Sequence, residues 1–373
     1  MKYVKVMVVF GTRPEAIKMA PVIKELQKRK EVKCTVCVTA QHREMLDQVL
    51  STYSIIPDYD LDIMEHGQTL SGVITKALNG IDEVIKEVLP DIVLVHGDTN
   101  STLAGSLAAF YNRVYVGHVE AGLRTWNKYS PFPEEINRQI TGIIADFHFA
   151  PTELSKKNLL REGKPIESIF VTGNTAIDAL KITTNIEFSH PVFDWIGESK
   201  LILLTAHRRE NIGQPMEHMF NAINRISMKY ENVKVIYPIH PNLLVRKIAN
   251  KVFDNNKNVK LIEPLDVFEF HHFMKKSYLI LTDSGGIQEE APYLGKPVLV
   301  MRDTTERPEG IKAGTLKLAG TNENTIFRLI EELLIDDKEY KKMSLAINPY
   351  GDGFASIKIV DAIIQKFIKE EKK

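Results

Sequence analysis

Short apolar runs alternate with amphipathic runs along the whole chain. Val4–Phe10 is apolar apart from Lys5, the composition of a strand buried on both faces. Gly11-Thr-Arg-Pro-Glu15 then makes a tight turn and opens a helix, with Pro14 suited to its first turn. That helix sets Ile17, Ala20, Ile23 and Leu26 on one side, with Lys24 and Lys28 elsewhere. Further apolar runs predict strands near 33–39, 92–96, 114–119, 147–150 and 168–172. A second series starts at 201–206 and continues near 234–239, 259–262, 278–282 and 297–301. Helical spacing is predicted over 323–334 and again over 355–369, where Ile359, Ile363 and Phe367 recur at that period. Asn348-Pro-Tyr-Gly-Asp-Gly353 breaks the chain between these two. Strands alternating with helices throughout predict an α/β protein with parallel sheets.

A chain of 373 residues is long for one hydrophobic core, so two α/β domains are expected, 1–172 and 173–354. The stretch 173–199, which holds Pro191, is less regular and reads as a linker and lead-in. A hydrophobic share of 44% with 26% charged residues suits a globular protein. Lys+Arg and Asp+Glu balance at 48 each, so no global charge points to nucleic acid or to a membrane surface. No apolar run approaches the ~20 residues that cross a bilayer. The first strand follows the start without a signal-peptide pattern, which leads to an expected cytoplasmic location. The two cysteines, Cys34 and Cys37, sit in a β-rich run with no second Cys/His pair and read as strand residues in a reducing compartment.

Candidate chemistry collects where strands are predicted to end. Asp98, Glu120 and Glu134 each follow such a run, and ligands of open parallel sheets bind at the carboxyl ends of strands. Carboxylates gathered there can move protons; singly, each can instead cap a helix or pair with an arginine. Leu279–Glu290 offers a strand, then Asp-Ser-Gly-Gly, then a helix, so backbone N–H groups and the Ser284 hydroxyl can meet a phosphate. Glu290, one turn on, can accept from ribose hydroxyls or be a plain surface residue. Arg13 and Lys18 form a cationic turn, and Arg13 can grip an anion or pair with Glu15 or Glu120. His207, in Thr205-Ala-His-Arg-Arg-Glu210, can donate to a phosphate or shuttle a proton. Arg307 supplies another cation, and His271 and His272 read as surface or packing residues. Together these residues suggest a nucleotide-diphosphate ligand in a cleft between two domains. No Gly-x-Gly-x-x-Gly or Walker sequence is present, and no cluster has metal-site spacing, so neither cofactor nor metal is expected.

Several blocks, in order along nearly the whole chain, closely resemble the non-hydrolysing UDP-N-acetylglucosamine 2-epimerases. They are Phe-Gly-Thr-Arg-Pro-Glu-Ala-Ile-Lys-Met-Ala-Pro (10–21), Gln-His-Arg-Glu-Met-Leu (41–46), His-Gly-Asp-Thr (96–99), His-Val-Glu-Ala-Gly-Leu-Arg-Thr (118–125), Pro-Glu-Glu (133–135) with Asn-Arg (137–138), Ala-His-Arg-Arg-Glu-Asn (206–211), Asp-Ser-Gly-Gly-Ile-Gln-Glu-Glu-Ala-Pro (283–292) and Arg-Asp-Thr-Thr-Glu-Arg-Pro-Glu (302–309). The resemblance implies a B-type glycosyltransferase fold whose last helix, 355–373, returns to the first domain. It also implies a homodimer without metal or redox cofactor, which interconverts UDP-GlcNAc and UDP-ManNAc by elimination of UDP and re-addition to a glycal. By position it implies Asp98, Glu120 and Glu134 as catalytic carboxylates, and Arg13, Lys18 and His207 as helpers around sugar and diphosphate. It implies Ser284, Gly285, Gly286, Glu290 and Arg307 as UDP contacts, with Phe270 near the uracil.

The resemblance further implies a second UDP-GlcNAc site that regulates many bacterial members, kept here at Gln41, His42, Gln68, Glu134, Arg208 and His240. Two positions depart: Glu44 stands where Gln is common and Gly67 where Arg is common. Losing a cation and gaining an acid weakens diphosphate binding, so activation is expected to be weak or absent. A glycosyltransferase of the same fold, a hydrolysing epimerase and a non-catalytic nucleotide-sugar sensor remain as rivals. The first would need an acceptor, the second would release free ManNAc, and the third would not need all three carboxylates.

Overall fold

The computed structural model describes residues 3–40, 43–65 and 67–369. The chain divides into two compact units, Met1–Ala179 with Gly351–Lys373, and Leu180–Tyr350. The sequence pattern put the boundary at 172/173 and the return at 355. The structure divides later because Ala179, midway along the helix Thr175–Thr184, packs into the first core while its neighbour Leu180 packs into a core of the second.

Among the described residues the first unit holds β1 (Val4–Phe10), β2 (Val32–Val38), β3 (Tyr59–Asp60), β4 (Ile92–His96), β5 (Tyr115–Val119), β6 (Phe147–Ala150) and β7 (Ile169–Val171). They form one parallel sheet in the order β3-β2-β1-β4-β5-β6-β7. Alternation along β1 feeds two cores, as strand geometry requires. Val6, Val8 and Phe10 pack with the helix Arg13–Lys28 on one face. Met7 and Val9 pack with the helices Leu70–Val88 and Asn100–Tyr111 on the other.

The last helix, Ala355–Lys369, belongs to this unit: Ile359, Val360 and Ile363 are buried in its first core, and Asp361 pairs with Arg29 at 2.8 Å. Asp178 accepts from the backbone N–H groups of Ala355 (3.1 Å) and Ser356 (2.8 Å), an acidic cap where the helix dipole favours it.

The second unit holds β8 (Lys200–Thr205), β9 (Val233–Pro238), β10 (Val259–Ile262), β11 (Leu279–Thr282), β12 (Val298–Val300) and β13 (Leu316–Leu318). They are parallel in the order β10-β9-β8-β11-β12-β13. Both orders reverse direction beside the first strand, at β1/β4 and at β8/β11. Rossmann-like sheets open a crevice at that switch point. The protein is therefore α/β with two Rossmann-like units, the kind from which a B-type glycosyltransferase fold is built.

The stretch read as an irregular lead-in is largely helical, with helices Thr175–Thr184 and Pro191–Ile196. Pro191 starts the second of these at a position where its missing N–H costs nothing, and the His190 side chain accepts from Val192 N at 3.1 Å. The pattern also missed β3 and β13, which are too short to show a period. Cys34 and Cys37 are free thiols on β2, both pushed up to about 12, chiefly by burial. Among the described residues no helix is long and apolar enough to cross a membrane.

Candidate active site

In the first unit the switch point carries the turn after β1 and the turn after β4. Gly11 begins the former, and any Cβ there would collide with the Thr39 and Ser101 hydroxyls, which are themselves 2.7 Å apart. Glu15 follows, fully buried, and organises this turn. Its carboxylate accepts from Gly11 N (3.0 Å), from Thr12 N and Oγ1 (both 2.8 Å), and from the hydroxyls of Thr99 (2.7 Å) and Thr102 (3.1 Å). Glu15 is thus a structural acid and not the partner of Arg13, whose guanidinium makes no ion pair among the described residues.

Glu120 ends β5 in a left-handed backbone conformation, φ 64°, which a non-glycine residue rarely adopts and which clusters at functional positions. Its Oε2 takes the Lys18 ammonium, accepts from Asn174 Nδ2 at 3.2 Å and lies 3.7 Å from His96 Nε2. Burial pushes the His96 imidazole down to about 4, against the pull of Glu120, so a neutral ring faces the carboxylate at neutral pH. Asp98 pairs with Arg138 at 2.7 Å. Burial raises the Asp98 carboxyl to about 6; Arg138 and Lys18 oppose this, and Glu120 and Glu134 add to it through like charge. The three carboxylates and Lys18 are therefore close enough to act on one another.

Glu134 opens the helix Glu134–Ile144, and its buried Oε2 has no hydrogen-bond partner among the described residues. Buried polar atoms are nearly always partnered, so this oxygen has bonding capacity left for water or a ligand. Its neighbour Glu135 is spent on structure: it accepts from Thr125 N and Trp126 N and lies 3.5 Å from Arg138.

In the second unit the corresponding position is organised by Asp283, a fully buried residue that the sequence reading passed over. One oxygen accepts from His207 N (2.9 Å) and Arg208 N (2.8 Å); the other lies 3.4 Å from His207 Nδ1. The turn after β8 is thereby tied to the end of β11. His207 stays 40% exposed and stacks on His240, ring centroids 5.6 Å apart. Ser284 caps the short helix Gly285–Glu290 without spending its hydroxyl on the helix. Gln288 holds the Ser284 carbonyl (3.0 Å) and accepts from Thr305 (2.6 Å), which fastens the following loop. In that loop Arg307 binds the buried Glu289. Glu290 lies 3.9 Å from His271 Nε2.

His271 and His272 are both buried, which corrects their reading as possible surface residues. Adjacent positions on the helix Val267–Lys276 point different ways, yet both sides are covered: His271 bonds Thr183 (2.7 Å), and His272 stacks on Phe188 at 4.6 Å. Phe270 is half-buried on the same helix and packs against the core.

The structure gathers Asp98, Glu120, Glu134, Lys18 and Arg138 in one unit. In the other, Asp283 ties His207 and Arg208 to the strand end that leads into Ser284. Of the proposed regulatory residues, Gln41 and His42 lie outside the described residues. Gln68 has a buried Oε1 without a hydrogen-bond partner among the described residues, and the neighbouring Gly67 has φ 72°. Among the described residues no group of three His, Cys, Asp or Glu could hold a metal ion.

Comparison with known proteins agrees with this arrangement. The sequence model of the UDP-N-acetylglucosamine 2-epimerase family matches residues 24–364. The UDP-N-acetylglucosamine 2-epimerase of Bacillus subtilis is 64% identical over 364 residues, covering 98% of this chain and 96% of that protein. The crystal structure of a putative UDP-N-acetylglucosamine 2-epimerase from Listeria monocytogenes superposes with a TM-score of 0.95 at 55% identity, covering 98% of this chain and 97% of that one. The UDP-GlcNAc 2-epimerase of Neisseria meningitidis, solved bound to UDP-GlcNAc, gives 0.86 at 50% identity, covering 97% of this chain and all of that one (100%). This chain belongs to the UDP-N-acetylglucosamine 2-epimerase family.

Proposed function

We propose that the protein is a non-hydrolysing isomerase that interconverts UDP-GlcNAc and UDP-ManNAc. The observation that carries this reading is the gathering of Asp98, Glu120 and Glu134 in one unit, with Lys18 and Arg138 as their cations. A carboxylate removes the proton from sugar carbon 2, and the bond from carbon 1 to the diphosphate oxygen breaks with its electron pair going to UDP. A glycal remains. Return of a proton to carbon 2 on the opposite face, and attack of UDP on carbon 1, gives the epimer.

Two faces need two acid/base groups, which is a physical reason for several carboxylates. Asp98, with its carboxyl near 6, is poised to exchange a proton near neutral pH. The departing diphosphate needs cations and N–H donors, for which His207, the Ser284–Gly286 segment and Arg307 are the candidates. Glu290 takes the ribose and Phe270 lies by the uracil. Arg13 stays available for the sugar or the phosphates. The active form is a homodimer, and no cofactor takes part.

Proton NMR of the protein with UDP-GlcNAc in heavy water tests this. The expected product is UDP-ManNAc carrying deuterium at carbon 2. Free ManNAc with UDP would make the enzyme hydrolytic, and binding without exchange would make the chain a sensor or a transferase. A second prediction follows from Glu44 and Gly67. Initial rates against UDP-GlcNAc are expected to be hyperbolic, and turnover of UDP-ManNAc is expected without added UDP-GlcNAc. A sigmoidal curve, or a strict need for added UDP-GlcNAc, would show that Gln41, His42, Gln68, Arg208 and His240 still serve a regulatory site.

A further inference from the structure

Three consecutive carbonyls, those of His96, Gly97 and Asp98, each accept a hydrogen bond from a side chain. Thr102 Oγ1 shares its one hydrogen between His96 O and Glu15, His118 Nε2 donates to Gly97 O at 2.7 Å, and Asn137 Nδ2 donates to Asp98 O at 3.0 Å. Gly97 also has φ 69° and donates its own N–H to Val119 O at 2.9 Å. The peptide plane that launches Asp98 is therefore set mainly by one imidazole. That imidazole is completely buried, on β5 two residues before Glu120.

We propose that His118 is a positioning residue for the reaction, acting on Asp98 through the Gly97 carbonyl. Its N–H is aimed at the carbonyl of Gly97, the left-handed residue that directly precedes Asp98. The other ring nitrogen, Nδ1, is buried and has no hydrogen-bond partner among the described residues, so the tautomer is fixed by the bond to Gly97. Burial holds the ring far below its ordinary value, to about 3. The ionisable groups around it, His148 on β6, Arg124 and His96 on β4, push it the same way. The ring thus stays a neutral donor while Asp98 titrates. Around Asp98 itself stand Arg138, Glu120, Lys18 and Glu134.

The inference rests on the epimerase reading and is tested with the full-length protein and UDP-GlcNAc. Three variants are compared with wild type: His118→Leu, His118→Gln, whose amide N–H reaches nearly as far as Nε2, and His118→Asn, whose amide does not. Loss of the donor is expected to lower kcat by about 10- to 100-fold with KM changed by no more than about threefold, because misaiming a reacting group costs rate and not binding. His118→Gln is expected to recover most of kcat. The acid limb of the pH profile is expected to move to lower pH in His118→Leu and His118→Asn, as a loosened Asp98 gains water, and to stay in place in His118→Gln. If His118→Leu does not fold, the Gln and Asn variants carry the same comparison. Equal losses in Gln and Asn, or kcat kept in every folded variant, would overturn the inference while leaving the epimerase reading intact. Absence of exchange in wild type would overturn that reading, and the inference with it.

Discussion

Asp98→Asn is expected to lower kcat by about 10²- to 10⁴-fold, the contribution of one acid–base group, with UDP affinity kept within about threefold. Asparagine preserves the volume and one oxygen but cannot take a proton. The acid limb is part of the same expectation. Burial raises the Asp98 carboxyl to about 6, so as a base it works only above that pH. Wild-type kcat should fall about tenfold per pH unit below it, and this limb should vanish from the residual activity of the variant.

Stability carries the opposite sign. A carboxyl raised in the folded state contributes stability that is fully present below its unfolded value near 3.8 and is lost as pH rises through about 6. Asp98→Asn removes that loss but leaves the Arg138 guanidinium, 2.7 Å away, without its carboxylate. Thermal unfolding across pH 5–8, beside kcat, separates the two effects. A variant that is folded and retains more than about a tenth of wild-type kcat would remove Asp98 from the proton-transfer step.

Asp283→Ala is the second large effect, and it acts on stability and binding together. The carboxylate is fully buried and accepts the N–H groups of His207 and Arg208 at 2.9 and 2.8 Å. Alanine leaves both partly buried donors unpaired, at roughly 1–3 kcal/mol each, so a loss of about 2–6 kcal/mol is expected. It should appear as a lower midpoint in the denaturant unfolding curve. With the turn after β8 released, His207 and Arg208 lose their orientation, and UDP affinity by calorimetry should fall more than tenfold, as expected from about 1.4 kcal/mol or more of lost binding energy. Asp283→Asn keeps one acceptor and should lie between the two. A stability loss under about 1 kcal/mol for alanine would mean that water or another group satisfies those N–H groups.

The clustering of the three carboxylates proposed for proton transfer was legible in the sequence because each follows an apolar run, and a parallel sheet has one end at which such positions meet. The same reasoning found the Ser284–Gly286 segment and His207. It did not find Asp283, although the residue stands in Thr282-Asp-Ser-Gly, because the hydroxyl and glycines beside it looked more like ligand groups. A signal did exist: an acid at the end of a fully apolar strand must be paired or bonded. Glu15 was offered as one alternative partner for Arg13, but it caps its own turn at Gly11 N and Thr12 N and takes the Thr99 hydroxyl from the turn after β4, a contact no local pattern announces. Likewise, His271 and His272 look like surface residues until Thr183 and Phe188, far away in sequence, cover them.

By itself the sequence determined the strand-and-helix alternation, the two-unit plan and the strand ends at which chemistry collects. These depend on local period and on chain connectivity, both of which are written along the chain. Only the tertiary structure decided which acids are spent on bracing turns and which face cations. Asp98 is paired with Arg138, Glu120 is held by Lys18 in a left-handed backbone, and Glu15 and Asp283 are spent on turns. The reason is physical: a carboxylate's role is set by its desolvation and by its partners. Here those partners come from helices and turns that follow other strands, brought to the same place by a sheet order that does not follow the order of the chain.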